Sequence, residues 1–174
     1  VIKFFENKRI NILDIGTGSG CILLSILKEL NFSRGTGIDI SAKAIQTAKI
    51  NSKNLNLLNR SKFKICDLNK YKIGMYDLIV SNPPYIPSKD IKNLSKEVIN
   101  YEPKTALDGG LDGLDLIKKV IYKSSHLLKR NGLLAIEIGF NQYKRVSSIL
   151  RRYRFREISK EYDYNRNVRC IIST

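Results

Sequence analysis

The stretch Arg9-Ile10-Asn11-Ile12-Leu13-Asp14-Ile15-Gly16-Thr17-Gly18-Ser19-Gly20 runs from mostly apolar residues into three glycines at alternate positions. Its first seven residues predict a strand that is buried on both faces, and the ten residues that follow Gly20, CILLSILKEL, predict a buried helix. A strand, a glycine-rich turn and a helix form the opening unit of nucleotide-binding α/β domains. We therefore expect an α/β fold with a ligand site at this first turn.

The spacing of the glycines narrows the kind of ligand. A dinucleotide-binding fingerprint needs a further glycine three residues after Gly18, and that position is Cys21. The observed pattern, GxGxG, suits a ligand that lacks a pyrophosphate, because glycine lets the backbone approach a ligand without a Cβ in the way. A tight turn without a ligand is the alternative, which three glycines in five residues disfavour.

The second predicted strand, Gly35 to Ile40, carries an acid near its end. Asp39 lies 19 residues after Gly20, close to the ~20 at which an acid meets a ribose in this architecture. A carboxylate accepts hydrogen bonds from both ribose hydroxyls and repels a 2′-phosphate. Ser41 then predicts the N-cap of a helix from Ala42 to Asn54.

The third predicted strand, Lys62 to Cys66, ends at Asp67-Leu68. An acid at this strand end suits the amino group of an adenine, with Leu68 packed on the ring. Capping of a turn or helix explains Asp67 equally well, so both interpretations stay open.

The fourth predicted strand, Asp77 to Ser81, runs directly into Asn82-Pro83-Pro84-Tyr85. Two prolines in succession fix φ and remove two N–H groups, so this loop is stiff and its carbonyls have few local donors. The Asn82 amide, exposed carbonyls and the Tyr85 ring suit a flat group that bears NH2. A simple Asn-Pro turn after a strand is the alternative.

The rest of the chain predicts a long irregular segment followed by further β–α alternation. Ile86 to Gly113 is polar and irregular, which is typical of a functional lid or a disordered loop. The elements predicted after it are a helix from Leu114 to Leu128 that stops at Lys129 to Gly132, a strand from Leu133 to Ile138, a helix from Gln142 to Arg152, and strands from Phe155 to Tyr162 and from Val168 to Ser173. This order predicts a mainly parallel, doubly wound, seven-stranded sheet with an antiparallel terminal pair.

Composition narrows the class of protein. No apolar run approaches the ~20 residues of a membrane span and no signal peptide opens the sequence, so we expect no contact with a membrane. The 31 Lys and Arg against 16 Asp and Glu give a formal net charge of +15, with a basic surplus from Asn141 to Thr174. This surplus predicts affinity for polyanions such as nucleic acid or the ribosome. An AT-rich genome that favours Lys, Asn and Ile is the alternative explanation.

Cysteine and histidine usage disfavours several kinds of site. Cys21, Cys66 and Cys170 are far apart and lack CxxC spacing, so we expect reduced thiols in a cytoplasmic protein, with Cys21 and Cys66 buried. The single histidine, His126, lies in a predicted helix. A His-based catalytic triad or a multi-histidine zinc site is therefore disfavoured, and we expect no metal.

Taken together, the motifs resemble a known family. GxGxG after the first strand, an acid after the second and NPPY after the fourth resemble class I S-adenosylmethionine-dependent methyltransferases, a Rossmann-like fold, that act on planar amino or amide nitrogens. The segments that narrow the resemblance to the peptide chain release factor glutamine methyltransferases are Tyr101-Glu102-Pro103, Ala106-Leu107 and Gly109-Gly110-Leu111-Asp112-Gly113-Leu114, with the late Asp163 and Arg169. The similarity extends from about Ile10 to the end of the sequence.

The resemblance implies S-adenosylmethionine as cofactor. The residues implied to bind it are Gly16, Thr17, Gly18, Ser19 and Gly20 at the methionine part, Asp39 at the ribose, Asp67 and Leu68 at the adenine, and Asn82. Relatives often carry an aromatic residue where this sequence has Leu68, which bears on cofactor affinity.

The resemblance also implies the substrate site. Asn82 and Pro83 would accept hydrogen bonds from the NH2 of a glutamine, Tyr85 would wall in the amide, and Pro84 would complete the substrate contact. Asn82, Pro83 and Tyr85 are thus the implied catalytic residues.

Partners follow from the same resemblance. The implied substrate is the glutamine in the Gly-Gly-Gln motif of release factors, and the implied location is the cytoplasm. We expect residues 1–174 to form the methyltransferase domain alone, without the small helical domain that precedes it in that group and helps to hold the release factor. Methylation of a ribosomal-protein glutamine, methylation of adenine N6 in RNA or DNA, and nucleotide binding without activity are the alternatives.

Overall fold

The computed structural model describes residues 1–94 and 103–174, in which strands and helices alternate along most of the chain. The strands are β1 (Asn11–Ile15), β2 (Arg34–Asp39), β3 (Ser61–Ile65), β4 (Tyr76–Ser81), β5 (Leu128–Glu137), β6 (Glu157–Tyr162) and β7 (Val168–Ser173). The helices are α1 (Cys21–Glu29), α2 (Ala42–Asn54), the short α3 (Lys104–Leu107), α4 (Asp115–Leu127) and α5 (Tyr143–Arg152).

The strands form one seven-stranded sheet in the order β3-β2-β1-β4-β5-β7-β6. Strands β1 to β5 pair in parallel, and β7 is antiparallel to both β5 and β6. The predicted mainly parallel sheet with an antiparallel terminal strand is confirmed. The strand order reverses between β1 and β4, whose last residues, Ile15 and Ser81, pair with each other. In open α/β sheets, ligands bind beside the carboxyl ends of the strands at such a switch point.

The sheet carries a hydrophobic core on each face, because alternate residues of a strand point to opposite sides. In β1, Leu13 and Ile15 belong to the core cluster that includes α4 and α5, whereas Ile12 belongs to the cluster that includes α1 and α2. Gly35 in β2 permits the close approach of α1, since a Cβ there would lie 2.3 Å from Leu23 Cδ1. Burial on both faces explains the nearly unbroken apolar runs and holds the strand ends in place.

The predicted bounds of the helices agree closely with the structure. Helix α2 spans Ala42–Asn54 as predicted, and its cap is the expected one, with Ser41 Oγ accepting a hydrogen bond from the Ala44 N–H at 3.2 Å. Helices α1, α4 and α5 begin and end within one residue of their predicted bounds.

The helix ends where Lys129 to Gly132 predict its stop, but the predicted start of the next strand at Leu133 is wrong. These residues belong to β5, which begins at Leu128 immediately after α4. Leu128 pairs with Tyr76 of β4, and the Thr174 hydroxyl donates to the Gly132 carbonyl at 3.1 Å. These distant partners draw the chain into the sheet at once, so the basic residues and the glycine mark a helix-to-strand junction instead of a separate loop.

The three cysteines are free thiols. The prediction of a buried thiol is wrong for Cys21, which is exposed in the first turn of α1 because Leu23 and Leu24 take the buried face; Cys66 and Cys170 are half-buried. Within the two described ranges, no helix is both long and apolar enough to cross a membrane.

Candidate active site

The glycine loop that follows β1 (Gly16 to Gly20) has a backbone that glycine adopts far more readily than other residues. Gly16, Gly18 and Gly20 have φ values of +71°, +55° and +81°. The N–H groups of Gly16 and Thr17 both donate to the Ile38 carbonyl of β2. Among the described residues, a Cβ added at Gly16 or Gly18 would meet no atom within 4 Å. The loop is thus fixed to the sheet on one side and faces open space on the other.

A buried acid, Asp14, lies behind the glycine loop. It is 1% exposed, and its Oδ2 accepts a hydrogen bond from the Thr17 hydroxyl at 2.7 Å, while its Oδ1 has no hydrogen-bond partner among the described residues. Burial raises the pKa of Asp14 to about 6, although the Thr17 hydroxyl and the Leu23 N–H oppose this. The Thr17 side chain therefore supports the loop from inside, which leaves its backbone for contact with a ligand.

Asp39, the predicted ribose-binding acid, lies at the end of β2 beside the glycine loop. Its Oδ2 accepts a hydrogen bond from the Gly18 N–H at 3.0 Å, and its Oδ1 accepts one from the Ser41 N–H at 2.8 Å. A carboxylate has about four acceptor positions, so both oxygens keep capacity for a ligand hydroxyl. The Ser19 carbonyl accepts a hydrogen bond from Asn51 Nδ2 at 2.9 Å, so the loop is held by α2 as well as by β2.

The two residues assigned to the adenine, Asp67 and Leu68, follow the third strand but differ in exposure. Asp67 is exposed, and its Oδ1 accepts a hydrogen bond from the Asn69 N–H at 2.7 Å, so it caps the short turn Leu68–Lys70. Leu68 is 6% exposed and packs into the core, so its side chain offers little surface to a ring. The adenine contact stays a prediction, and Asp67 is the better placed of the two to make it.

The NPPY loop (Asn82 to Tyr85) follows β4, the strand next to β1. The Ser81 hydroxyl donates to the Ile15 carbonyl at 2.8 Å, which joins the two strands where their loops begin. Asn82 is exposed, Pro83 is buried, and Pro84 and Tyr85 are half-buried. The structure therefore brings the NPPY loop and the glycine loop together at the switch point of the sheet, on the same edge as Asp39 and Asp67.

Behind the NPPY loop, the buried side chain of Gln142 joins three loops. Its Nε2 donates to the carbonyls of Tyr85 and Gly113 at 2.9 and 3.1 Å, and its Oε1 accepts a hydrogen bond from the Gly139 N–H at 2.9 Å. No local motif marks Gln142, which is predicted from the sequence only as the first residue of a helix. Its role depends on contacts 29 and 57 residues away along the chain.

The described parts of the segment predicted as a lid or a disordered loop pair with each other and lie against the NPPY loop. Ile86 forms a parallel bridge with Asp108, in which the Ile86 N–H donates to the Leu107 carbonyl at 3.1 Å and the Gly109 N–H donates to the Ile86 carbonyl at 2.8 Å. Gly113 approaches so closely that a Cβ there would lie 2.3 Å from the Tyr85 carbonyl oxygen. The run from Gly109 to Gly113 is therefore a backbone support for the NPPY loop.

Tyr101 and Glu102 of the YEP motif lie outside the described residues. The structure consequently adds nothing to the resemblance at these two positions.

A half-buried acid, Glu137, lies beside Tyr85 at the end of β5. The Tyr85 hydroxyl donates to Glu137 Oε1 at 3.4 Å. Burial raises the pKa of Glu137, and burial together with the charge of Glu137 raises the pKa of Tyr85. Asp163 and Arg169, which the resemblance singles out, form an ion pair of 2.9 Å at the same edge of the sheet. The sequence marks Glu137 only as the last polar position of a predicted strand, so its place beside Tyr85 is visible only in the fold.

Comparison with known proteins agrees with this arrangement. The chain matches the family model described as "Methyltransferase domain" over residues 6–168. It is 46% identical over 139 residues to a release factor glutamine methyltransferase of Rhodospirillum rubrum, a match that covers 80% of this chain and 43% of the relative. It is also 46% identical over 168 residues to a release factor glutamine methyltransferase of Fusobacterium nucleatum, with 94% of this chain and 46% of the relative covered. The chain spans about half the length of the curated relatives it matches.

The fold has a counterpart among solved structures. The crystal structure of ribosomal protein L11 methylase from Lactobacillus delbrueckii subsp. bulgaricus superposes with a TM-score of 0.72 at 18% identity, covering 99% of this chain and 73% of that chain. At this identity the likeness shows the fold alone. The resemblance to release factor glutamine methyltransferases drawn from the motifs is confirmed by the two relatives. Because the family model covers all but the ends of the chain and the fold agrees with it, the chain belongs to the methyltransferase domain family.

Proposed function

We propose that this domain transfers a methyl group from S-adenosylmethionine to the side-chain amide nitrogen of a glutamine, and that this glutamine lies in the Gly-Gly-Gln motif of peptide chain release factors. The observation that carries the proposal is the NPPY loop beside the glycine loop, joined by the hydrogen bond from Ser81 to Ile15. The 46% identity to relatives named for this reaction supports the substrate. Since release factors act in translation, the domain acts in the cytoplasm.

The described residues fit this cofactor. In the described part of the chain, no atom fills the space next to Gly16 and Gly18 that a side chain would occupy there. Asp39 has acceptor capacity for ribose hydroxyls, and Asp67 lies at the next strand end for the adenine amino group. When bound, S-adenosylmethionine supplies an electrophilic methyl group on a positively charged sulfur.

The NPPY loop can make the weakly nucleophilic amide nitrogen of a glutamine reactive. An amide nitrogen is a poor nucleophile, because its lone pair is delocalised into the carbonyl. Asn82 Oδ1 and the Pro83 carbonyl accept hydrogen bonds from the two N–H groups of the glutamine, which orients the nitrogen and stabilises the positive charge that develops on it. With the electron pair of the broken S–C bond left on the sulfur, the nitrogen that accepts the methyl group would become cationic. It then loses one proton to water and the amide is neutral again.

Neighbouring residues hold this loop in position. The Tyr85 ring walls in the amide plane, while its hydroxyl reaches Glu137 and its carbonyl is held by Gln142. Fixing both ends of the tyrosine limits its movement, and a fixed wall keeps the glutamine aligned for in-line transfer.

Methyl-labelled S-adenosylmethionine tests the proposal directly. The domain is incubated separately with release factors, release factors whose Gly-Gly-Gln glutamine is replaced by alanine, ribosomes, RNA and DNA. We expect label only in the unaltered release factor, and labelling slowed by ~10²–10³ when the domain carries Asn82→Ala. Label in a ribosomal protein or in a nucleic acid, with none in the release factor, would assign the domain to one of the alternative reactions instead.

A further inference from the structure

The edge of the sheet opposite the candidate active site is rich in arginine. At this amino edge the parallel strands begin and the helices end, so the approach to β1 and the helix-to-strand connections lie there. Eight of the eleven arginines of the chain lie in or beside these segments, against eight of the twenty lysines. The eight arginines are Arg9, Arg34, Arg60, Arg130, Arg151, Arg152, Arg154 and Arg156. A genome-wide preference for lysine does not place arginine on one edge, so the distribution calls for a physical explanation.

Part of this edge forms a groove, the basic groove, between the end of α4, the start of β5 and the end of α5. It has a volume of about 250 Å³ and is lined by residues that include Lys129, Arg130, Tyr153 and Arg154. Arg151 and Arg152, the last residues of α5, and Arg156, the residue before β6, flank the lining residues along the chain. Five arginines therefore lie in or beside one concave surface.

The fold does not use the charges of these five arginines. Within the described part of the chain, their guanidinium groups form none of the ion pairs, which involve Lys118, Lys129, Arg145, Lys160 and Arg169, and none of the side-chain hydrogen bonds. Arg60 and Arg169, by contrast, bind a backbone carbonyl and a carboxylate. Unpaired guanidinium groups in one place repel each other, and an anionic partner relieves this repulsion.

Aromatic rings continue the surface beyond the groove. Tyr153 packs edge-to-face on Tyr122 with 5.8 Å between ring centroids, and the Tyr122 ring lies 4.7 Å from that of His126. Tyr122 and His126 are exposed. Arginine binds phosphate through two parallel N–H bonds, and exposed rings stack on nucleic-acid bases. An anionic membrane presents phosphates but no bases, so the rings favour a nucleic acid.

We propose that the basic groove binds the phosphate backbone of single-stranded nucleic acid, with bases stacked on Tyr122 and His126. The groove and the NPPY loop lie at opposite edges of the sheet. Both sites can therefore be occupied at the same time, and nucleic-acid binding does not compete with methyl transfer. The proposal stands independently of the substrate of the methyltransferase.

Fluorescence anisotropy with a labelled oligouridine of about 12 nucleotides, roughly one site length for such proteins, tests the groove over a range of salt concentrations. The double variant Arg130→Gln/Arg154→Gln should weaken binding at least ~10-fold. It should also lower the slope of log K against log salt by about 1.4, or about 0.7 for each lost phosphate contact. The matched control, Lys49→Gln/Lys119→Gln, removes the same charge from exposed helix positions that form no ion pair, and should change the affinity less than about twofold. Tyr122→Leu should weaken binding but leave the salt slope unchanged.

Three results would overturn the proposal. Equal losses in the arginine and lysine double variants would show that only net charge matters. Binding to phosphatidylglycerol vesicles without binding to the oligouridine would assign the groove to a membrane. Loss of release-factor methylation in the arginine variant would show that the two edges are not independent.

Discussion

Asn82 differs from the rest of the NPPY loop because it is exposed and its side chain makes no hydrogen bond to the described chain, so its contribution to folding is small. We expect Asn82→Ala to lower turnover by ~10²–10³, the usual loss when one group aimed at the reacting centre is removed. Asn82→Asp should lose less, because a carboxylate still accepts the hydrogen bond. Cofactor affinity and melting temperature should persist in both variants.

Single-turnover methylation measured beside a melting curve checks this for each variant, with the exposed Asn54→Ala on α2 as control. A lowered melting temperature with normal turnover would show that Asn82 stabilises the turn and has no role in catalysis. Near-normal turnover in Asn82→Ala would end the case for NPPY as the catalytic loop.

Asp14 makes a pH-dependent prediction. Its pKa is raised from 3.8 to about 6, so the folded state holds the proton more tightly than the unfolded state, and stability falls as the pH rises from about 4 to 6. Asp14→Asn removes this titration. The free energy of unfolding of the variant minus that of the parent should therefore grow by about 2–3 kcal/mol between pH 4 and pH 7.5.

Urea unfolding at several pH values measures this difference. Glu29→Gln, which alters an exposed carboxyl at the end of α1, is the control and should show no comparable change. A constant difference at every pH would mean that the buried carboxyl does not titrate differently on unfolding.

At the residue scale, a site residue can be predicted from the sequence when a rule fixes its distance from a recognisable motif. Asp39 is found because a fixed distance separates the glycine turn from the acid of the second strand. Asp14 is missed because one acid in an apolar strand has no such rule, and its burial under the loop depends on Thr17 and Leu23. Leu68 is placed in the right segment, but its side chain turns into the core, a direction that the sequence of a short turn does not specify.

At the scale of elements, Gln142 is the residue to test, because its side chain joins the loop after β4, the loop after β5 and the Gly109–Gly113 run. Gln142→Leu leaves three buried backbone groups without partners and should cost about 1–3 kcal/mol for each. Gln142→Glu keeps an oxygen that accepts from the Gly139 N–H. It replaces the NH2 donor with a second carboxylate oxygen, which the carbonyl oxygens of Tyr85 and Gly113 repel. Turnover should fall strongly in the Glu variant while S-adenosylmethionine affinity persists, because the glycine loop has its own ties to Asp39.

Turnover and calorimetric cofactor affinity, measured across pH, separate positioning from general loss of structure. Turnover of Gln142→Glu should recover partly at lower pH, where the protonated acid donates a hydrogen bond again. The exposed Gln46→Leu on α2 is the control. Parallel losses of cofactor affinity and turnover would assign Gln142 a role in overall folding only.

Elements with strong local signals are predicted well, and elements defined by distant pairing are not. The cap at Ser41 and the amphipathic pattern fix α2 from nearby residues alone. The start of β5 depends on pairing with Tyr76, 52 residues away, so local sequence places the end of α4 correctly but the start of the strand too late. The bridge between Ile86 and Asp108 likewise joins segments that look irregular when each is considered alone.

At the scale of the whole molecule, the candidate active site and the basic groove lie at opposite edges of the sheet, because the parallel strands all run in one direction. The glycine loop, Asp39, Asp67 and the NPPY loop lie at the carboxyl edge, and the arginine-rich connections lie at the amino edge. Once the β–α alternation is predicted, the first set can be assigned to one edge from the sequence. The basic groove cannot be found that way, because it needs the packing of α4, β5 and α5 in three dimensions.

Cofactor binding tests the whole molecule, because the residues proposed to bind S-adenosylmethionine all lie within the described chain. We expect the domain to bind it unaided and, at a concentration of about 100 times Kd, to gain about 2.7 kcal/mol of stability. For a chain of this length, that raises the melting temperature by roughly 5–10 °C. Asp39→Ala should weaken binding by about 1.5–3 kcal/mol and remove most of the shift at the same concentration.

The shift caused by the ligand is the quantity to compare, because Asp39→Ala also frees the Gly18 and Ser41 N–H groups and lowers the starting melting temperature. Glu29→Ala, at an exposed position away from the loop, is the control and should keep the full shift. NAD should cause no shift, since the GxGxG spacing lacks the third glycine of a dinucleotide site. An undiminished shift in Asp39→Ala would remove this acid from the site, and a shift with NAD alone would assign the glycine loop to a different class of ligand.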